Sequence, residues 1–211
     1  MWATFPLALK RMALAAYAFV VSFLMPAFLG QRVDDAPVLD ILAASWSTAT
    51  VGILIAWLVG KWGWRLLWRT NRLGMYLDTH LCPNLRGVWR GELFSSYDNF
   101  QKATEVTATI KADLFGIMMT LSSPRAGLRS NTTCFRLAKD ADSGMFRVYY
   151  QYDATTDHPV AGDSQQHQGS ARLDVVYEDG KIQCLKGVYW TNRQWQESNQ
   201  TAGSVTFTRV S

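Results

Sequence analysis

Cysteine is scarce in this chain: its 211 residues hold three, Cys82, Cys134 and Cys184, about fifty positions apart and without a C-x-x-C pair. An odd, scattered set excludes a disulfide framework, and because His80, His158 and His167 are equally unpatterned, no metal site is expected. An excess of one charge is missing from the larger part of the chain. Residues 76–211 carry fourteen basic and fourteen acidic side chains, whereas residues 1–75 carry seven basic (Lys10, Arg11, Arg32, Lys61, Arg65, Arg69, Arg72) against Asp34, Asp35 and Asp40, a difference that makes up the whole net charge of +4. A neutral domain has no long-range field to gather a polyanion, so no polymeric nucleic acid is expected as a partner. Catalytic signatures are absent as well: there is no G-x-S-x-G, no G-x-x-x-x-G-K and no H-E-x-x-H. The acid pairs Glu178-Asp179 and Asp140 with Asp142 fall in expected turns and read as solvated faces. The chain is therefore not expected to be an enzyme, and no cofactor is expected.

Two long uncharged runs are present, Met12 to Leu29 and Ile41 to Val59. Each is close to the twenty or so residues that cross a bilayer as a helix. Eight Leu, Val and Phe residues in the first run favour insertion by roughly 3 to 5 kcal/mol before polar and proline penalties. A cleaved signal peptide is the competing reading, but the run exceeds the usual apolar core and no A-x-A site follows. The short connection QRVDDAPV allows only a tight hairpin, with Pro37 at the start of the second span. Lys10 and Arg11 before the first span, and Lys61, Arg65, Arg69 and Arg72 after the second, put both ends in the cytoplasm by the positive-inside rule. Residues Trp62 to Arg72 mix tryptophan with arginine, which suits a helix in the headgroup belt or one docked on the following domain. Ala44, Thr48, Gly52, Ala56 and Gly60 form a stripe of small residues that either packs the hairpin on itself or joins protomers.

Beyond Tyr76 the apolar period changes to two. Strands are expected near Arg86–Phe94, Thr104–Ala112, Gly116–Ser122, Thr132–Lys139, Met145–Tyr152, Ser170–Glu178, Lys181–Tyr189 and Gly203–Val210, with tight links at Asp113–Phe115 and at Asp179-Gly180. Eight consecutive strands with short links point to an up-and-down antiparallel β-barrel. The expected fold class is thus a membrane-anchored all-β protein: a two-helix transmembrane hairpin with a juxtamembrane helix over residues 1–75, then an eight-stranded barrel over 76–211 that senses a ligand. Such a barrel has room inside for side chains or for one small ligand.

Alternate residues of a strand share a face. Tyr189, Thr191 and Arg193 in GVYWTNR therefore fall on one side, as do Tyr150 and Tyr152. Nucleobases stack on such rings, Arg193 suits phosphate, and Thr191 and Asn192 can hydrogen-bond base edges or ribose. Arg129, with Arg125 in the same loop, is a further cation, and His167 before Gly169 falls at the barrel mouth as a donor or stacking surface. The same residues also serve simply to fill a barrel or cap its strands. Trp89, between Gly87 and Gly91, reads as a floor plug.

The order of two spans, PNLRGVWRGEL and SSY at 83–97, YYQYD at 149–153, HQGSARL at 167–173, GVYWTNR at 187–193 and a closing GSVTFTRV resembles the transmembrane β-barrel effectors of CBASS antiphage defence. The resemblance implies a cytosolic barrel that binds a cyclic dinucleotide made by a CD-NTase, then self-association into homo-oligomers and disruption of the bacterial inner membrane that stops phage replication. Gly87, Trp89 and Arg209 also resemble the lipocalin opening and closing strands. That likeness leaves open a membrane-tethered carrier of a small apolar ligand, and a ligand-free scaffold is the third reading.

Overall fold

A computed structural model describes residues 5, 7–19, 46, 50–159, 163–198 and 200–210. The chain divides into two compact units, one running from Phe5 to Leu67 and the other from Trp68 onward.

In the first unit, Leu7–Phe19 form helix α1 and residues 50–58 are helical, followed by a π-helical turn at Val59–Gly63. About half of the expected spans, residues 20–29 and 41–45 together with 47–49, lies outside the described residues, as do Ala44 and Thr48 of the small-residue stripe. Among the described residues no helix is long and apolar enough to cross a membrane.

The second unit holds eight strands: β1 (Gly87–Ser95), β2 (Ala103–Ala112), β3 (Ile117–Ser123), β4 (Leu128–Lys139), β5 (Phe146–Thr156), β6 (Gln166–Glu178), β7 (Lys181–Thr191) and β8 (Ala202–Arg209). Each pairs antiparallel with the next, and β8 returns to β1 to close the barrel, so no edge is left to template aggregation. All eight expected strands are present. Three of them extend four residues further than the apolar alternation indicates: β4 begins at Leu128 rather than Thr132, β5 ends at Thr156 rather than Tyr152, and β6 begins at Gln166 rather than Ser170; β7 extends by two, to Thr191 rather than Tyr189. A bulge in β4 between Thr132 and Cys134 also shifts the pairing with β5.

The turns follow local chemistry. Asp179 and Gly180 both adopt positive φ, 50° and 72°, the combination a two-residue hairpin needs to match strand twist. At the β2–β3 link the Asp113 carboxylate accepts from the amides of Phe115 and Gly116, both at 2.9 Å.

One end of the barrel is solid. Trp89 is fully buried there, and its indole N–H donates to the Leu85 carbonyl at 2.9 Å. The Arg209 guanidinium lies 4.8 Å from the Trp89 ring centroid and donates to the carbonyl of Asn84. Gly91 leaves its inward face to the Phe207 ring, and Ile110, Phe146, Leu173, Val175 and Leu185 complete the packing. The segment before β1 seals this end from outside. Trp68 Nε1 donates to Cys82 O at 3.2 Å, Tyr177 Oη to Asp78 O at 2.8 Å and Lys139 Nζ to His80 O at 3.0 Å. The Asp78 carboxylate accepts from the Asn84 amide at 2.7 Å, and burial there raises its pKa despite that bond.

Candidate functional site

The other end of the barrel is hollow because its inward side chains are small. In register across the wall, Tyr150 faces Ala171 and Ala171 faces Tyr189, while Tyr152 faces Gly169 and Gly169 faces Thr191. A Cβ on Gly169 would collide with the Tyr152 ring, and one on Gly203 would come within 2.8 Å of the Tyr189 ring. Missing side chains on β6 and β8 thus give the tyrosines of β5 and β7 their places, and Ser95, Ser130 and Ala154 keep the remaining wall thin. The result is a cavity of about 210 Å³.

Three tyrosines dominate its interior. The rings of Tyr150 and Tyr152 lie with centroids 5.7 Å apart, and Phe135 stacks on the far side of Tyr150 at 6.3 Å. Burial, reinforced by the neighbouring phenols, raises the pKa of Tyr150 and of Tyr152, so both hydroxyls stay protonated. Tyr189 is also raised by burial, partly offset by a hydrogen bond with Ser95. At the next level Thr191 and Thr201 join their hydroxyls at 2.7 Å.

The rim carries the charge. Arg193, in the turn after β7, lines the cavity and holds the Asp163 carboxylate at two points, Nε to Oδ1 at 2.7 Å and Nη2 to Oδ2. Asp163 has only 4% of its side chain exposed. The guanidinium holds that carboxyl below its ordinary range, and the carboxylate in turn raises the pKa of Arg193, so the pair is ionic at any physiological pH. His167, on β6 beside this pair, has its pKa pushed down to about 4, by burial first and then by the Arg193 charge; it is a neutral imidazole. Three buried polar atoms of the cavity lining have no hydrogen-bond partner among the described residues: Asp98 Oδ1 at the rim, and Thr156 Oγ1 and His167 Nδ1 in the wall. Buried groups are nearly always paired, so two orphans on adjacent strands of one cavity mark a place prepared for something else. Among the described residues no group of His, Cys, Asp and Glu is arranged to hold a metal ion.

Six of the eight residues singled out from the sequence therefore meet here: Tyr150, Tyr152, Tyr189, Thr191, Arg193 and His167 all line the cavity. Two do not. Arg129 precedes the inward-facing Ser130 on β4, so strand alternation turns it outward, where it pairs with Asp157 at 3.0 Å. Asn192 also points away. Its side-chain oxygen accepts from the Gln168 amide at 2.6 Å and its own amide donates to the Gln168 carbonyl at 2.9 Å, a clamp that extends the β6–β7 edge. It lines a separate cleft of about 510 Å³ on the outer wall, between Gln151, Gln168, Trp190 and Trp195. That cleft is larger, but none of its described lining residues is a cation. Sequence reasoning missed Asp163, Asp98 and Thr156. Asp163 is the least legible of these, because its partner lies thirty residues away and no local pattern joins them.

Comparison with known proteins agrees with this geometry. Residues 80–209 match the family described as Cap15, cyclic dinucleotide receptor domain. The chain is 31% identical over 211 residues to CD-NTase-associated protein 15 of Escherichia albertii, covering 97% of this chain and 96% of that protein. The family match covers the whole barrel, and the relative covers nearly the whole chain, including the N-terminal unit. A closed eight-stranded barrel, a tyrosine-walled cavity at its open end and these two matches lead to one conclusion: the chain belongs to the Cap15 cyclic dinucleotide receptor family.

Proposed function

We propose that this protein is a CBASS antiphage effector that binds a cyclic dinucleotide at the open end of its barrel, assembles into homo-oligomers and disrupts the bacterial inner membrane. The observation that carries the reading is the juxtaposition, in one cavity, of three neutral tyrosines with the Arg193 guanidinium. Aromatic faces suit nucleobases and a planar guanidinium suits phosphate. Its role is recognition rather than catalysis.

Anchoring is supported by the two uncharged runs and by the described part of the second. There Val51, Ile53, Leu54, Ile55, Trp57 and Leu58 all expose their side chains, around the helix except on the face of Gly52, which is buried. A helix that is apolar all round belongs in a core or a bilayer. With both termini and the barrel cytoplasmic, the orientation that the flanking basic residues favour, the cavity opens to the compartment in which a second messenger is made. The ligand must bind the assembled state better than the free one, since equal affinity shifts nothing. Clustered hairpins then multiply weak contacts between small-residue stripes.

The test is calorimetric titration of the full chain in lipid nanodiscs with a panel of cyclic dinucleotides. Saturable binding of at least one member is expected. Binding of none, with lipid recovered from the purified barrel, would instead establish the apolar-ligand carrier.

A further inference from the structure

The charges of the cavity are segregated. Its two charged lining residues, Asp98 in the turn after β1 and Arg193 in the turn after β7, both lie at the rim, whereas every lining residue contributed by a strand is uncharged. The volume of about 210 Å³ is below the roughly 300–1,000 Å³ that drug-sized ligands occupy. A cyclic dinucleotide carries two ionised phosphates, and an ion moved among tyrosine rings and aliphatic side chains without a counter-charge loses its hydration and gains nothing in return. A nucleobase is flat and uncharged, and stacks on those rings at no such cost. The wall also offers it hydrogen bonds. Thr156 on β5 and His167 on β6, exposed by 6% and 8%, hold Oγ1 and Nδ1 buried in the wall without partners, and at the rim Asp98 Oδ1 is likewise unpartnered. Thr156 and His167 are neutral, so they suit a base edge or a ribose hydroxyl better than a phosphate, and the Asp98 carboxylate, which only accepts hydrogen bonds, likewise suits a base amino group or a hydroxyl.

We propose, on the cyclic dinucleotide reading above, that the barrel admits a single nucleoside of its ligand. The base enters between the tyrosines and takes its hydrogen bonds from Thr156 and His167. Both phosphates and the second nucleotide stay at the rim beside Arg193. One barrel therefore reads one base.

The full chain in nanodiscs is titrated with three cyclic dinucleotides of the same linkage: two with identical bases, chosen from a panel so that their affinities differ at least tenfold, and the mixed one. The mixed ligand always has the preferred base to present, so its Kd is expected within about threefold of the tighter partner's. A Kd midway between the two, or nearer the weaker, means that both bases are read and overturns the proposal, as does a panel in which no two same-base ligands differ tenfold. Thr156→Val is expected to weaken the tighter same-base ligand about fivefold and to leave the weaker one within twofold; an equal loss for both overturns the assignment of Thr156. Binding of no ligand by the unaltered chain would refute the receptor reading itself, an outcome distinct from all of these.

Discussion

The two ends of the barrel are made by the same eight strands with the same alternation, and they differ in what alternates. At the closed end the inward positions carry Trp89, Ile110, Phe146 and Leu173, and the buried indole N–H and guanidinium N–H groups find backbone carbonyls. At the open end the inward positions of β6 and β8 shrink to Gly169, Ala171 and Gly203, the large rings stand on β5 and β7, and three buried polar atoms have no partner among the described residues. One end spends its side chains on packing. The other leaves space and unsatisfied hydrogen bonds, a local cost to stability that is intelligible only if a ligand meets it.

The sharpest way to break this contrast is Trp89→Ala. Removing a fully buried indole destabilises by about 3 to 5 kcal/mol, and here it also strips Arg209 of the ring it stacks on. Urea unfolding is expected to show the loss, while the chains that remain folded keep their ligand affinity within about threefold.

Arg193→Ala acts on the other end. It is expected to weaken cyclic dinucleotide binding by about 1.5 to 3 kcal/mol, the worth of a charge-assisted hydrogen bond. It also leaves the carboxylate of Asp163, 4% exposed, without its counter-charge. Adding Asp163→Asn separates the two effects: the double variant regains stability in urea but not affinity in calorimetry. Affinity unchanged by Arg193→Ala would remove Arg193 from the site.

The smallest effect comes from pH. The folded pKa of His167 is pushed from 6.5 down to about 4, chiefly by burial and then by Arg193. Between those values the unfolded chain takes up a proton that the folded barrel refuses. The stability that neutral His167 contributes is thus complete above the unfolded pKa and is lost as pH falls through about 4. Urea midpoints compared at about pH 7.5 and about pH 4.5 are expected to separate less in His167→Gln than in the unaltered chain. Equal separation would show that the open end does not exclude the proton.

The same contrast explains what the sequence made legible. Alternation marks all eight strands, because one face of each is apolar and the other polar through most of its length. The face rule also groups Tyr150 with Tyr152, and Tyr189 with Thr191 and Arg193, and the pairing of β5 and β7 through β6 brings the two groups together. Prediction falls short where β4, β5 and β6 approach the open end. There the inward residues Ser130, Thr156 and His167 are polar and Gly169 has no side chain, so the apolar signal stops several residues before the strand does. A lined cavity erases the periodicity by which strands are read. Arg129 was out of reach for the same reason: without Ser130 recognised as inward, nothing assigns its neighbour to the outer wall. Asp163 sits in the link between β5 and β6 and meets Arg193 only after the barrel closes.

Amide hydrogen exchange of the full chain in nanodiscs, with and without a bound cyclic dinucleotide, tests the central claim that recognition belongs to the hollow end alone. Slowed exchange is predicted at the ends of the strands around the cavity, in residues 95–98, 150–156, 166–171 and 189–194. No change is predicted around the plug, at 85–90 and 208–209. Slowing confined to the plug, or spread over the outer wall without the cavity, would contradict the account.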